Sequence, residues 1–145
     1  MIQIGSQTPA VTSPAARPTV YVVDDDAGVL GSLRFLLETD GFTVRTFRSG
    51  TALLGASFSG EVDCFVIDYK MPDINGIDLV GQLRNRGIQV PVVLITGYPD
   101  KNIAARAAAA GLRHVMRKPL LEDSLIKQIR GAIAEYRSTD GTPPA

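Results

Sequence analysis

Residues 19–26, TVYVVDDD, combine the two features that decide the fold of this chain: an apolar run and three aspartates directly after it. A nearly continuous run of β-branched and aromatic residues is typical of a parallel strand covered on both faces. The aspartates lie where this strand ends and a loop begins. The sequence therefore predicts a buried strand with several negative charges at its carboxyl end.

Four more short apolar runs follow, and segments of helical period separate them. The runs are FTVRTF (42–47), VDCFVID (62–68), PVVLIT (91–96) and LRHVM (112–116). The first of these four alternates apolar and polar residues, as an edge strand does, whereas the next two are nearly continuous in apolar residues. Strands that alternate with helices predict a right-handed, doubly wound α/β sheet, in which ligands bind at the carboxyl ends of the strands.

The composition is that of one globular domain. The chain has 145 residues, with 15 Lys and Arg against 15 Asp and Glu, so its formal net charge is zero. A neutral molecule has no overall field that draws it onto nucleic acid or an anionic membrane. No run approaches the ~18 apolar residues of a membrane span, and a single cysteine, Cys64, cannot form an internal disulfide. We expect a cytoplasmic protein that binds neither nucleic acid nor membrane directly.

Both ends of the chain are rich in proline and lack sustained periodicity. Residues 1–18 contain three prolines, and residues 137–145, RSTDGTPPA, contain two more. Such segments bury too little apolar surface to offset the entropy of ordering. We therefore predict a flexible N-terminal tail at 1–18, a folded domain at 19–136 and a flexible C-terminal tail at 137–145.

Polar residues follow or end several of the predicted strands. The first predicted strand, TVYVVD (19–24), ends in Asp24, and Asp25 follows it. Asp68 ends the third strand, Thr96 ends the fourth, and Lys118 lies just past the fifth. If the strand order is 2-1-3-4-5, these groups share one cleft. Three carboxylates so close together raise one another's pKa unless cations intervene. One lysine leaves a deficit of positive charge, and the oxygen ligands favour Mg²⁺.

This set of groups has the layout needed to transfer a phosphoryl group onto a carboxylate. A metal ion and Lys118 neutralise the oxygens of the transferring group, and the Thr96 hydroxyl donates to one of them. Asp68 is the natural acceptor, because Met71 and Pro72 form a turn that leaves its side chain at the rim of the cleft. Two other polar or reactive residues have structural interpretations: Asp26 caps the next helix, and Cys64 is a small buried residue.

Four stretches of the chain resemble the receiver domain of two-component response regulators. They are VYVVDDD, VIDYKMPDINGIDL, VVLITGYPD and VMRKPL, in that order along residues 19–136. The resemblance implies a flavodoxin-like architecture, with a five-stranded parallel sheet in the order 2-1-3-4-5.

The resemblance also implies a role for particular residues of the site. Asp24 and Asp25 are implied to be the acidic pair that holds Mg²⁺. Asp68 is implied to be the phosphorylated residue, and the backbone carbonyl of Lys70 to be a further metal ligand.

At the far side of the cleft, the resemblance implies that Thr96 is the switch hydroxyl. It implies that Lys118 contacts the phosphoryl group and that its peptide bond to Pro119 is cis. Gly97 is similar to the small residue that admits the phosphoryl donor.

One position departs from the family pattern. Val115 stands where receivers usually carry a Phe or Tyr that turns inward on phosphorylation. The neighbouring His114 is expected to point to the opposite face of the strand. We therefore predict that Tyr98, two residues past Thr96, helps to report the state of the site.

The leading hypothesis is a stand-alone receiver that accepts a phosphoryl group on Asp68 from a histidine kinase or a histidine phosphotransfer protein. It is not an enzyme beyond its own Mg²⁺-dependent phosphoryl transfer and autodephosphorylation. A face made of the fourth helix, fifth strand and fifth helix binds an unknown downstream protein, and the same face is the candidate surface for a homodimer. Two alternatives stay open: a pseudo-receiver that docks constitutively, and the receiver fragment of a DNA-binding response regulator.

Two other classes of α/β protein are disfavoured by residues of the chain. A phosphatase of the haloacid-dehalogenase kind needs a second acid two residues after its nucleophile, and that position is Lys70. A flavodoxin-like FMN binder needs a phosphate loop rich in Ser, Thr and Gly after the first strand. Here that loop reads DDDAGV, which repels phosphate.

Overall fold

The computed structural model describes residues 17–57, 61–97 and 101–141, with side chains described as far as residue 138. The strands are β1 (Thr19–Val23), β2 (Thr43–Phe47), β3 (Cys64–Asp68), β4 (Val92–Thr96) and β5 (His114–Arg117). The helices are α1 (Ala27–Thr39), α2 (Gly50–Gly55), α3 (Gly76–Asn85), α4 (Lys101–Ala109) and α5 (Glu122–Gly141). Each predicted strand is present, and its ends differ from the predicted ones by at most two residues.

The strands form one parallel sheet in the order β2-β1-β3-β4-β5, which confirms the predicted fold and places β2 at an edge. Val23 at the end of β1 lies opposite Ile67 of β3, and Asp68 lies opposite Ile95 of β4. The carboxyl ends of three adjacent strands therefore meet at one edge of the sheet, with β3 in the middle.

Helices cover both faces of the sheet, because successive side chains of a strand point to opposite sides. In β1, Val20 and Val22 pack in the layer formed with α1 and α5, whereas Tyr21 and Val23 pack in the layer formed with α2, α3 and α4. Each buried aliphatic side chain contributes roughly 1.5–3 kcal/mol, so both layers hold the strand in register. Cys64 is buried in the first layer, as predicted, and burial raises the pKa of its thiol to about 12.

Polar side chains cap three helices at their amino ends. Asp26, Ser49 and Asn75 precede α1, α2 and α3, and each accepts a hydrogen bond from a backbone N–H of the first turn. This confirms the predicted capping role of Asp26. At α3 the contact is reciprocal: Asn75 Oδ1 accepts from the Asp78 N–H at 2.9 Å, and Asn75 Nδ2 donates to the Asp78 carboxylate at 2.9 Å.

We expect Asn75→Ala to lower the free energy of unfolding by about 1 kcal/mol, because the first turn of α3 loses its cap. Urea unfolding of the purified protein measures the change. Gln82→Ala, at an exposed position of the same helix, is the control and is expected to leave stability nearly unchanged. Equal stability of Asn75→Ala and the wild type would contradict the capping argument.

Three helices are followed by a glycine in the left-handed backbone region. Gly41, Gly87 and Gly111 have φ angles of 96°, 82° and 83°. In each case the glycine N–H and the next N–H donate back to carbonyls three and five residues earlier. This pattern ends α1, α3 and α4 and turns the chain toward the next strand.

The predicted domain ends need correction. Residues 137–141 continue α5, so the prediction of a flexible tail that starts at residue 137 is wrong for them. No proline lies between the start of α5 at Glu122 and Pro143. Arg137 donates to the Asp63 carboxylate at 3.1 Å, which ties the last turns of the helix to the rest of the domain.

At the other end, Pro18 is buried and its carbonyl accepts from the Thr43 N–H at 2.9 Å, so it belongs to the folded domain. Residues 1–16 and 142–145 of the two predicted tails lie outside the described residues. Within the described ranges, no helix has both the length and the apolar character that a membrane crossing requires.

Candidate functional site

Four polar side chains from separate segments meet at the carboxyl edge of the sheet. Asp24 directly follows β1, Asp68 ends β3, Thr96 ends β4, and Lys118 directly follows β5. Asp24, Asp68 and Thr96 are only 3%, 6% and 3% exposed, although all three are polar. Strand order explains the arrangement, because β3 lies between β1 and β4.

Lys118 connects the two buried carboxylates. Its Nζ lies 3.3 Å from Asp68 Oδ1 and 3.8 Å from Asp24 Oδ2. The backbone also holds the lysine in place, since its N–H donates to the Thr96 carbonyl at 2.9 Å. The ammonium group therefore lies against both acids, and its own side chain stays partly exposed on the open side of the site.

The acidic residues form a cluster that fits a hard metal ion. One carboxylate oxygen from each of Asp24, Asp25 and Asp68 lies within 4.8 Å of the others. Asp24 and Asp68 are buried, whereas Asp25 is exposed. Carboxylate oxygens are the ligands that Mg²⁺ prefers, so the donor set matches the predicted cofactor in chemistry and in charge.

Burial is the main cause of the perturbed acidity at this site. Burial, together with the negative charge of Asp24, raises the pKa of Asp68 to about 6, although Lys118 opposes both effects. Burial also raises the pKa of Asp24, although its Oδ1 accepts a hydrogen bond from the Asp26 N–H at 2.9 Å. The sequence-based expectation named mutual repulsion alone; the structure adds desolvation as the larger effect.

An open cleft of about 560 Å³ leads from Asp68 to the surface. It is lined by Asp25, Asp68, Lys70, Met71, Pro72, Gly97 and Lys118. A Cβ atom placed on Gly97 would lie 3.9 Å from the Lys118 Cδ, and apart from its chain neighbours no other atom of the described residues lies within 4 Å. A larger side chain at this position would therefore extend into the cleft mouth beside the lysine.

The loop after Asp68 depends on a glycine that the sequence analysis missed. The Gly76 N–H donates to the Tyr69 carbonyl at 2.8 Å. A Cβ atom on Gly76 would lie 2.8 Å from the Asp68 carbonyl oxygen and 2.7 Å from Leu94 Cδ1. Only glycine lets α3 begin this close to the end of β3. The signal in the sequence was a glycine directly after the cap residue Asn75.

A contact between two further residues, which the sequence analysis also missed, lies beside the acidic cluster. Arg106 of α4 donates from Nη1 to the Tyr69 hydroxyl at 2.8 Å, and its guanidinium carbon lies 5.8 Å from the centre of the Tyr69 ring. Tyr69 directly follows Asp68 in sequence. No sequence spacing links two residues 37 positions apart, so only the tertiary structure shows this contact.

The fifth strand and its loop place the remaining predicted residues. The peptide bond between Lys118 and Pro119 is cis. Val115 is 37% exposed, and His114 points to the opposite side of the strand, where it contacts Gln128 and Glu135 of α5.

The remaining predicted reporter, Tyr98, lies outside the described residues.

Known proteins with this arrangement identify the family. The family model of the response regulator receiver domain matches residues 20–130. The response regulator protein TodT of Pseudomonas putida is 33% identical over 114 residues, which are 79% of this chain and 50% of TodT. The chain thus spans about half the length of the curated relatives it matches.

Solved structures agree with this assignment. A response regulator receiver domain protein from Clostridium thermocellum superposes with a TM-score of 0.78 at 28% identity, over 84% of this chain and 98% of that one. The FixJ-N structure superposes with a TM-score of 0.73 at 34% identity, over 81% and 94% of the two chains. This chain therefore belongs to the response regulator receiver domain family.

Proposed function

We propose that the chain accepts a phosphoryl group on Asp68 from a histidine kinase or a histidine phosphotransfer protein, in two-component signalling. One observation carries the proposal: the buried Asp68 carboxylate lies 3.3 Å from the Lys118 ammonium and within 4.8 Å of carboxylate oxygens of Asp24 and Asp25. The similarity of the chain to TodT, a response regulator protein, also supports a histidine kinase or a histidine phosphotransfer protein as the partner.

Asp24, Asp25 and Asp68, with the backbone carbonyl of Lys70, are the groups that we assign to hold Mg²⁺. When bound, the ion neutralises negative charge on the oxygens of the transferring phosphoryl group. Their oxygen atoms suit this role because the three carboxylates already lie together and outnumber the nearby positive charge of Lys118.

We assign the direct contacts with the phosphoryl group to Asp68, Lys118 and Thr96. A carboxylate oxygen of Asp68 attacks phosphorus, and a P–O bond forms as the P–N bond of the donor phosphohistidine breaks. The electron pair of that bond stays on the imidazole nitrogen, which takes a proton from solvent. Lys118 pairs with the phosphoryl oxygens, the Thr96 hydroxyl donates to one of them, and Gly97 keeps the approach open. We propose no enzymatic reaction beyond this transfer and the later hydrolysis of the acyl phosphate.

We further propose that α4, β5 and α5 form the face that binds a downstream protein or a second copy of the chain. Val115 lies on this face, and a valine changes its buried area far less than an aromatic ring does when it turns inward. The response to phosphorylation therefore runs through Thr96, Gly97 and the loop that contains Tyr98. Partner binding is expected to change only modestly on phosphorylation, and Val115→Tyr is expected to enlarge that change.

Intact-mass spectrometry after incubation with Mg²⁺ and a small phosphodonor such as acetyl phosphate tests the proposed function. The wild type is expected to gain one phosphoryl group, while Asp68→Asn and the wild type in EDTA gain none. Asp73→Asn is the matched control, since this carboxylate lies in the same loop but accepts from the Thr51 N–H and hydroxyl instead. Phosphoryl uptake by Asp68→Asn, or equal uptake in EDTA, would refute the assignment.

A further inference from the structure

Helix α4 is weakly anchored to the sheet. Of its nine residues only Ile103 and Ala107 are buried, and one of these has a minimal side chain. By comparison, α3 buries five residues over a similar length. A helix with so little buried apolar surface opens locally at low cost. A single polar contact therefore makes up a large share of what holds α4 in place.

The contact between Arg106 and Tyr69 is a polar contact that holds α4 in place. The Arg106 Nη1 donates to the Tyr69 hydroxyl at 2.8 Å, and the guanidinium lies near the face of the same ring. The ring is half-buried and packs against the core layer that α4 shares. Arg106 is exposed, so the contact joins a surface residue of α4 to the residue that follows the acceptor aspartate.

The two ends of this contact are held differently. The Tyr69 backbone is tied to the sheet and to α3, since its N–H donates to the Ile95 carbonyl at 2.7 Å and its carbonyl accepts from the Gly76 N–H at 2.8 Å. The amino end of α4 is instead joined to Thr96 by residues 97–100. A rearrangement at Thr96 on phosphorylation therefore reaches α4 along the chain, whereas Tyr69 stays bonded to Ile95 and Gly76.

We propose that the Arg106–Tyr69 contact is a latch that holds α4 in the unphosphorylated state and opens when Asp68 is phosphorylated. This inference rests on the proposed function and names the residues that regulate its output. It gives this chain a coupling route that does not use the position of Val115. The latch biases α4 because the contact is present in one state and absent in the other.

Hydrogen exchange of the α4 amides, read by mass spectrometry, tests the latch. In the unphosphorylated protein, Arg106→Gln and Tyr69→Phe are each expected to speed exchange in α4 about fivefold, which corresponds to one hydrogen bond of about 1 kcal/mol. The double variant is expected to match the single ones, because both substitutions remove the same contact. Lys101→Gln, which removes a positive charge from the same helix, is the control and is expected to leave exchange unchanged.

Beryllofluoride with Mg²⁺ serves as the phosphoryl mimic in the second part of the test. It is expected to speed α4 exchange about fivefold in the wild type and less than twofold in Arg106→Gln. Unchanged exchange in the single variants, or a full beryllofluoride response in Arg106→Gln, would overturn the latch.

Intact mass after acetyl phosphate treatment separates the two proposals. Arg106→Gln is expected to take up one phosphoryl group, as the wild type does. If the wild type takes up no phosphoryl group, the proposed function is refuted. The α4 exchange rates of the unphosphorylated variants still decide whether the Arg106–Tyr69 contact holds α4.

Discussion

Replacement of Asp68 by asparagine is expected to raise the free energy of unfolding of the metal-free protein by about 3 kcal/mol at pH 8. Burial and the neighbouring Asp24 charge raise the pKa of Asp68 from 3.8 to about 6, despite the attraction of Lys118. Each pKa unit corresponds to about 1.4 kcal/mol of difference between the two protonation states. Asparagine has the shape of the protonated acid and removes this cost.

The pH dependence of stability has a definite sign. The folded protein binds the Asp68 proton more tightly than the unfolded chain does, because the folded pKa of about 6 exceeds 3.8. The contribution of Asp68 therefore favours folding fully below pH 3.8 and is lost as the pH rises toward 6. The stability difference between Asp68→Asn and the wild type is expected to grow over this range and to stay constant above it.

Urea unfolding in EDTA at several pH values measures this difference. Mg²⁺ is expected to stabilise the wild type more than Asp68→Asn, because an ion that binds only the folded state stabilises it by mass action. Asp73→Asn is the control of opposite sign: hydrogen bonds from Thr51 lower the pKa of Asp73, so ionised Asp73 favours folding and its loss should not stabilise. An Asp68→Asn protein that is less stable than the wild type at pH 8 would contradict the burial argument.

Gly76→Ala is expected to lower the free energy of unfolding by about 2 kcal/mol. The added methyl group would lie 2.7 Å from Leu94 Cδ1 and 2.8 Å from the Asp68 carbonyl oxygen, and the latter is backbone that cannot move aside. Overpacking of this kind typically costs 1–3 kcal/mol. The loop after β3 has to shift, so phosphoryl uptake by Asp68 is expected to slow as well.

Gly81→Ala in the same helix is the matched control. Apart from the backbone of its own helix and its chain neighbours, a Cβ atom at Gly81 meets no atom of the described residues within 4 Å. Alanine is also favoured over glycine in a helix by up to about 1 kcal/mol. The two substitutions are therefore expected to have opposite signs in urea unfolding. A stabilised Gly76→Ala protein would show that α3 can move away from β3 at little cost.

Local patterns in the sequence were sufficient to predict the strands, their alternation with helices and the edge where the site lies. The apolar runs are specific because a strand buried on both faces tolerates few polar residues, as the fully buried β3 and β4 show. Asp26 was correctly predicted as a cap, since its chemistry acts on N–H groups only two and three positions away. In parallel α/β folds the carboxyl ends of strands meet at one edge, so Asp24, Asp68 and Thr96 were placed correctly without coordinates.

Only the tertiary structure decided how the adjacent carboxylates differ. Asp24 is buried and Asp25 exposed, although the sequence reads DDD with no distinction between them. Burial then dominates the pKa of Asp68, and burial depends on how neighbouring loops close over a side chain. Charges can be counted from the sequence, whereas desolvation depends on burial, which only the folded structure fixes.

Contacts between distant residues were likewise decided by the tertiary structure alone. Arg137 contacts Asp63 across 74 positions and Arg106 contacts Tyr69 across 37, and these pairs join α5 and α4 to the rest of the domain. The close approach of Gly76 to β3 belongs to the same class. A sequence pattern shows whether a segment forms a helix or a strand, because that depends on neighbours within a few residues. Contacts such as these depend on where the complete helices and strands lie in the fold.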